Sequence, residues 1–191
     1  EPLETGRITL SRGPYSETFP ARFLLVATMN PCPCGNLGDP ARACRCTPAQ
    51  IRRYQARLSG PLLERFDLGI EMMREPAGGV PDKAPTPEDS ATVARRVQSA
   101  RQRQLTRQAC TNGHLPVGRF DDCLALQSDA RTLLTQAADR FGWRSQHRVL
   151  RVARTVADLA DSATVTPAHL AEAMALRRPL DHLVSAEANP A

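Results

Sequence analysis

The sequence predicts a small α/β part followed by an all-α part, with helices predominating overall. A continuous apolar run, Phe23–Ala27, is typical of a strand that is buried on both faces of a parallel sheet. A stretch rich in proline and glycine, residues 76–87, separates this part from the rest of the chain. Beyond it, apolar residues recur at helical spacing. We therefore predict a core part over residues 1–75, a linker over 76–87, a helical part over 88–180 and a frayed tail over 181–191.

The core part is predicted to contain a hairpin arm, two strands, one helix and one further helical turn. The hairpin is indicated by the alternating stretch GRITLSRG, and the strands by ARFLLVATMN and DLGIEM. Thr47, Pro48 and Gln50 have the spacing of a capping box with proline in the first turn, so a helix begins there. Gly60 and Pro61 end that helix, and PLLERF supplies the further turn.

The helical part is predicted to contain four helices. The first opens at Thr86–Asp89, where a cap precedes acidic residues, and runs to about Gln108. The second, SDARTLLTQAADRFG, is capped by Ser128 and stops near Gly142, and the fourth opens at Thr166–Pro167. The third, SQHRVLRVARTVADLA, carries an apolar stripe at helical spacing, formed by Val149, Val152, Val156 and Leu159.

Composition excludes some classes of protein. No apolar run approaches the roughly 20 residues that span a bilayer, and the first residues lack the order of a signal peptide, so we expect a cytoplasmic protein with no membrane partner. The net charge of +5 permits a nucleic-acid partner. Lys83 is the only lysine, and its surroundings do not fit a P-loop, whose lysine must reach the β and γ phosphates. This chain alone therefore cannot bind ATP in the P-loop manner.

Four of the six cysteines form the most distinctive pattern in the sequence. They occur as two C-x-C pairs within a loop, residues 31–47, that follows the first predicted strand. Four thiolates can complete a closed, tetrahedral zinc shell of the structural kind, and the glycine, asparagine and proline residues between the pairs allow the loop to fold back. Redox-active thiols, an iron–sulfur cluster and a chance clustering of the cysteines are the alternatives. The candidate ligands are Cys32, Cys34, Cys44 and Cys46.

A few polar residues outside the cysteine loop are further candidates for a functional site. Asn30 follows the first predicted strand, at the sheet edge where open α/β folds present residues to a ligand, although an asparagine before proline also suits an ordinary turn. Arg65 ends a short helix just before a strand, and a surface ion pair is its ordinary interpretation. Arg144, Arg148 and Arg151 share one stripe of a helix, which is typical of a solvated face.

Four segments of this chain resemble the C-terminal half of the magnesium-chelatase-like AAA+ ATPases of the ComM/YifB type. They are EPLETGRITLSR, FPARFLLVATMNPCPCG, CRCTPAQIRRYQARLSGPLLERFDLGIEM and RSQHRVLRVARTVADLA, in that order. The resemblance extends from Glu1 to about Arg178 and is weakest across the linker and the helix after it. It implies that the core part belongs to an AAA+ α/β core with a cysteine-rich insertion, and that the helical part is the AAA+ lid.

The resemblance also implies roles for single residues. Asn30 matches the sensor-1 position, which helps to place the attacking water beside the γ-phosphate. Arg65 matches the arginine finger, which reaches into the nucleotide site of the neighbouring subunit. Arg144 matches the sensor-2 arginine of the lid, and Arg148 is the alternative because the register is uncertain there. The P-loop and the acidic metal-binding strand of the family would precede Glu1, so we expect the isolated chain to be catalytically silent.

From the resemblance we expect a hexameric ring that couples ATP hydrolysis, with Mg²⁺, to branch migration or helicase action on DNA during uptake and recombination. Two alternatives stay open. A stand-alone zinc-binding adaptor could contact nucleic acid through its arginines without ATP. A subunit of a metal-inserting magnesium chelatase is disfavoured by the cysteine loop.

Overall fold

The fold is described from a computed structural model, which covers residues 2–72, 88–138 and 142–188. The predicted linker and the predicted helix start at Thr86 lie outside these residues. The chain divides into two compact units, the first formed by residues 1–66 with 183–191 and the second by residues 67–182.

Helices predominate in the described residues, as predicted, and the described sheet has two strands. In these residues no helix is both long enough and apolar enough to cross a membrane. The first unit contains α1 Pro2–Thr5, β1 Arg7–Arg12, β2 Tyr15–Pro20, α2 Pro48–Gln55 and α3 Gly60–Leu63.

The predicted hairpin arm is confirmed. The strands β1 and β2 pair antiparallel, with Arg7 opposite Pro20 and Arg12 opposite Tyr15. Two cross-strand pairs of hydroxyl groups lie within hydrogen-bond distance, Thr9 with Thr18 at 3.0 Å and Ser11 with Ser16 at 3.1 Å. Such directly opposed polar pairs fix the register of an exposed two-stranded arm.

The two strands predicted after the hairpin are not formed in this structure. Residues 21–30 and 67–72 have no strand assignment, and the apolar side chains on them are exposed, including Leu24 at 87% and Met72 at 88%. The physical reason is that a strand of a parallel sheet needs backbone partners on its neighbours, and the described residues of the chain supply none for these segments. The apolar side chains of these segments are therefore left exposed to solvent.

The predicted start of the helix after the cysteine loop is confirmed in detail. The Thr47 hydroxyl accepts a hydrogen bond from the Gln50 backbone N–H at 3.3 Å, and the Gln50 side chain accepts one from the Thr47 N–H at 2.9 Å. Pro48 occupies the first turn. This reciprocal capping box satisfies two N–H groups that a helix start leaves unpaired.

The second unit is a cluster of helices with two 3₁₀ turns, Asn112–His114 and Val117–Arg119. Its α-helices are α4 Ser90–Gln108, α5 Phe120–Leu124, α6 Ser128–Gln136, α7 Trp143–Leu159 and α8 Pro167–Ala188, the last of which continues into the first unit.

The four predicted helices of this unit exist, with corrections at their ends. Asp89 is the N-cap of α4, since its carboxylate accepts a hydrogen bond from the Thr92 N–H at 2.6 Å. Gln127, rather than Ser128, is the N-cap of α6, and neither side chain makes a capping hydrogen bond there. The helix α6 ends at Gln136, six residues before the predicted stop, and α5 was not predicted.

The hydrophobic core of the second unit is built around α7, with further members from α5, α6 and α8, such as Phe120, Ala130 and Leu170. The helix α7 also lies against α4 and the first 3₁₀ turn. The buried face of α7 coincides only in part with the predicted valine stripe. Val149 is buried, but Leu159 is 40% exposed, and Ala153 and Ala157 lie on the buried face instead. The side chains buried on α7 are Ser145, Val149, Leu150, Ala153, Arg154, Ala157 and Asp158.

A buried polar network lies beside that core. Asp158 is 1% exposed and accepts hydrogen bonds from Arg107 at 2.7 Å, from Asn112 at 2.8 Å and from Arg154 at 2.9 Å. Arg154, also 1% exposed, donates further hydrogen bonds to the backbone carbonyls of Ala163 and Leu124. Because every charged group in the network has a partner of opposite charge, its burial is tolerated.

Candidate functional site

The four cysteines predicted as metal ligands lie together in the first unit. Their sulfur atoms all lie within 4.8 Å of one another. The Sγ atoms of Cys32, Cys34 and Cys44 are separated by 3.4, 3.6 and 3.7 Å. These separations exceed the roughly 2.05 Å of a disulfide, and all four cysteines are free thiols.

Tight turns bring the two C-x-C pairs together. The Gly35 N–H donates to the Cys32 carbonyl at 3.0 Å, and the Asp39 N–H donates to the Asn36 carbonyl at 3.1 Å. Gly35 and Gly38 have φ values of +78° and +80°, which residues with a side chain rarely adopt. The turn residues between the cysteine pairs thus have the function predicted for them.

The donor set and its spacing fit a zinc ion. A tetrahedral shell with sulfur about 2.3 Å from the metal has sulfur–sulfur separations of about 3.8 Å, close to those observed. The backbone N–H groups of Arg45 and Asn36 lower the pKa of the Cys34 thiol to about 6, whereas burial raises the pKa of Cys46 to about 12. Four thiolates this close together would repel one another, and a divalent cation is the kind of group that would offset their charge.

The cysteine cluster also supplies one of the few buried side chains in its unit. Among the described residues of the first unit, the buried hydrophobic side chains are Cys32 and Leu63. A unit with so little apolar core cannot be held together by the hydrophobic effect alone. The thiol cluster, completed by a metal, is a candidate substitute for that core.

Asn30 lies directly before the cysteine loop and is exposed. It does not end a strand, because residues 21–30 form none in the described structure. Its side chain lies close to Gly35, where an added Cβ would be 3.8 Å from the amide carbon. The sensor-1 role of Asn30 stays a prediction.

Arg65 lies just after α3 and is held from two sides. Its Nη1 donates to the carbonyl of Pro61 at 2.5 Å, and its Nη2 donates to Glu4 Oε2 at 3.2 Å. The Nε atom is buried and has no hydrogen-bond partner in the described part of the chain. The predicted surface ion pair is therefore present, and one buried donor of the same guanidinium still lacks an acceptor.

The two candidates for sensor 2 have different surroundings on α7. Arg144 is the second residue of the helix, is exposed and makes no hydrogen bond or ion pair within the described residues. The Arg148 side chain is only 13% exposed, and its Nη1 donates to Asp67 at 2.8 Å. Arg151 is also partly buried and donates to the carbonyl of Leu115 at 2.9 Å. The predicted solvated face thus applies to Arg144 alone.

Sequence reasoning missed the acidic partners of these arginines. Glu4 lies 61 residues from Arg65, and Asp67 lies 81 residues from Arg148. Each pair is made by the tertiary fold, so no local pattern reports it. Asn30 and Arg65 belong to the first unit, and Arg144 and Arg148 to the second.

Two family models match the chain, one after the other. Residues 1–79 match the model described as magnesium chelatase, subunit ChlI, and residues 87–177 match the model described as magnesium chelatase, subunit ChlI C-terminal. The boundary between the two matches falls within the predicted linker. Both parts of one family are therefore present in order.

Curated relatives match over almost the whole chain. An uncharacterised protein of Escherichia coli K12, YifB, is 43% identical over 179 residues, which are 93% of this chain and 35% of that protein. The competence protein ComM of Haemophilus influenzae is 41% identical over 180 residues, with the same coverage. An uncharacterised protein of Mycobacterium tuberculosis is 37% identical over 185 residues. The chain thus spans about a third of the length of these relatives.

Proposed function

Because the chain belongs to the magnesium chelatase ChlI family and is homologous to YifB and ComM, we propose that it is the sensor-1-to-lid portion of a ring-forming AAA+ ATPase that remodels DNA. The working assembly is a hexamer, and ATP with Mg²⁺ binds at the interface between neighbouring subunits. The remodelling is branch migration or helicase action during DNA uptake and recombination.

The observation that carries this proposal is the 41% identity to the competence protein ComM over 93% of the chain. The exposed apolar segments agree with it. Phe23–Ala27 and residues 67–72 have the composition of strands but no partner in the described residues. In the proposed motor, the strands that carry the P-loop and the acidic residues complete the sheet beside them.

Three residues of this chain act on the nucleotide in this proposal. Asn30 orients the attacking water, Arg65 neutralises charge on the phosphoryl group of the neighbouring subunit, and Arg144 contacts the nucleotide from the lid. The exposed position of Arg144 supports it over Arg148, whose guanidinium is occupied by Asp67.

The four cysteines hold a structural zinc ion in this proposal. A closed Cys₄ shell leaves no position for water or substrate, so the metal supplies folding energy rather than chemistry. The ligands bracket the turn that follows Asn30 and the start of α2, which leads to Arg65. The metal therefore orders the segment between the two proposed catalytic residues.

A subunit of a metal-inserting chelatase is the second candidate function. The description of the matching family favours it, because both models carry the name magnesium chelatase. The relative with a named biological process is a competence protein, which favours DNA as the substrate. ATP hydrolysis that is stimulated by branched DNA would support the motor, and hydrolysis that is stimulated by a porphyrin would support the chelatase.

The experiment that tests the motor is an Arg65→Ala substitution in the complete protein that contains this chain. ATP turnover should fall by about 10³-fold or more, because an arginine supplied in trans stabilises the transferring phosphoryl group. Nucleotide binding should be retained, and mixing variant with wild-type subunits should lower turnover more than dilution does. Arg101→Ala, at an exposed site on α4, is the control. Parental turnover by Arg65→Ala would refute the finger.

A further inference from the structure

One short segment of this chain carries basic residues without acidic ones. The whole chain has 25 basic and 20 acidic residues, a net charge of +5, and five of its arginines lie between residues 42 and 57. No acidic residue occurs from Pro40 to Leu63. The five are Arg42, Arg45, Arg52, Arg53 and Arg57, and all of them are exposed.

None of these five arginines has an acidic partner in the described part of the chain. Many of the other arginines there do, such as Arg65 with Glu4, Arg96 with Glu88 and Arg148 with Asp67. In the arginine-rich segment the one recorded contact of a guanidinium is that of Arg57, which lies 5.9 Å from the Tyr54 ring. These charges are therefore available to an external anion.

Two of the arginines lie on α2, and a third lies in the turn directly after it. Arg52 and Arg53 are neighbours on the helix, and the Arg57 N–H donates to the Tyr54 carbonyl at 3.3 Å, two residues beyond the end of the helix at Gln55. The opposite face, with Ile51 and Tyr54, is partly buried. We call Arg52, Arg53 and Arg57 the α2 arginine face.

The structure holds this face in place. The capping box fixes the first turn of α2 directly after Cys46, and the Gln55 side chain donates to the Pro31 carbonyl at 3.1 Å, across the cysteine loop. A zinc ion with four thiolates carries a charge of about −2. The loop itself contains Arg42, Arg45 and Asp39, so its own residues do not add positive charge beyond what such a centre would carry, and the α2 arginine face supplies three further positive charges.

We infer that the α2 arginine face binds the phosphate backbone of DNA. Three exposed guanidinium groups without acidic partners complement a polyanion. Guanidinium groups bind phosphate oxygens in a bidentate manner. Phosphate contacts carry no sequence information, so we expect binding that is independent of sequence.

The test measures binding of the zinc-loaded 191-residue chain to a fluorescent duplex of about 30 base pairs, at increasing salt. The triple variant Arg52→Gln/Arg53→Gln/Arg57→Gln should lower the slope of log affinity against log salt by about 2 to 3, since each phosphate contact contributes about 0.9. Affinity at low salt should fall at least about tenfold. Arg95→Gln/Arg101→Gln/Arg178→Gln, at exposed sites on α4 and α8, is the charge-matched control and should keep the parental slope.

Further variants keep the test decisive. Replacing the same three residues by lysine should retain the slope, and the single change Arg53→Gln should lower it by about 0.9 even if the triple variant folds poorly. An unchanged slope in the triple variant, an equal loss in the control, or no DNA binding by the parent chain at 50 mM salt would overturn the inference. So would binding to phosphatidylglycerol vesicles, but not DNA, through the same residues.

This inference rests on the proposed function for its partner, DNA, but not for ATP hydrolysis. No nucleotide enters the assay. Loss of DNA binding in the α2 variant, together with no ATP hydrolysis by the complete parent protein, would refute the motor and keep the arginine face. The reverse pair of results would refute the face and keep the motor.

Discussion

Arg154 and Asp158 form an ion pair in which both side chains are 1% exposed, with Arg154 Nη2 2.9 Å from Asp158 Oδ1. They lie one turn apart on α7. Burial by itself raises the pKa of Asp158. The hydrogen bonds from Arg107 and Asn112, together with the charge of Arg154, lower the pKa by more, so it lies below its ordinary value. The carboxylate is therefore ionised in the folded protein, and α4, α7 and the first 3₁₀ turn are joined through it.

We predict that Asp158→Asn destabilises the second unit by about 3 to 5 kcal/mol, because it leaves the Arg154 guanidinium buried without its counter-charge. The measurement is chemical unfolding of the 191-residue chain, followed by circular dichroism. Asp121→Asn is the control, since Asp121 is 94% exposed and lies 3.8 Å from Arg131. We expect the control to stay within about 0.5 kcal/mol of the parent. Equal effects of the two changes would contradict the assigned role.

A second prediction separates the two sensor-2 candidates. Arg148→Ala should lower the free energy of unfolding by about 1 kcal/mol, because it removes a charged hydrogen bond to the half-exposed Asp67. Arg144→Ala should leave unfolding unchanged but reduce ATP turnover in the complete protein. Thermal unfolding and ATP hydrolysis, measured on the same two variants, check this. If Arg148→Ala folds but does not hydrolyse ATP, and Arg144→Ala does hydrolyse it, then Arg148 is the sensor-2 arginine.

A third prediction concerns pH and His147. Its ring packs edge-on against Phe120 and Trp143, with centroids 5.4 and 4.5 Å apart. Burial, and then the charge of Arg151, lowers the pKa of His147 in the folded state. The unfolded chain therefore binds the proton more readily. The stability contribution is complete above about pH 6.5 and is lost as pH falls from there through the folded-state pKa.

The measurement for His147 is the unfolding midpoint at pH 7.5 and at pH 5.5. The parent should lose more stability over this interval than His147→Gln does, because the variant has no titrating imidazole at this site. His114→Gln, at an exposed site, should behave like the parent. Identical pH dependence of the parent and His147→Gln would contradict the role of this half-buried ring.

The sequence predicts well what is local in this chain. The capping box at Thr47 and Gln50, and the alternation in the hairpin, involve residues close in sequence, and both were confirmed. The cysteine cluster was predictable for the same reason, since a loop of fifteen residues carries all four ligands. Homology added the family, which composition alone could not indicate.

Features that depend on distant residues were missed or were predicted wrongly. Phe23–Ala27 has the composition of a strand, but a strand exists only where another backbone pairs with it. The buried pair of Arg154 and Asp158 was hidden because hydropathy assigns charged residues to the surface. Glu4 was not recognised as the partner of Arg65, because 61 residues separate them.

The last prediction concerns the zinc site. Elemental analysis of protein purified without chelator should find about one zinc per chain, with sulfur at about 2.3 Å by X-ray absorption. Cys44→Ser should lose the metal, since three thiolates no longer close the shell. Removal of zinc by a chelator should make residues 31–47 sensitive to protease while the helices of the second unit stay intact, because that unit has its own hydrophobic core.

The control is Cys110→Ser, which changes a cysteine in the second unit, outside the cluster, and should retain zinc. The order in which the loop and the helices open shows whether zinc replaces a core. Structural zinc contributes roughly 10 to 16 kcal/mol of apparent binding free energy, which exceeds what the few backbone hydrogen bonds of this loop supply. The loop should therefore open first when the metal is removed. If metal-free protein keeps a loop that is equally resistant to protease, the turns alone hold it, and the zinc does not replace a core.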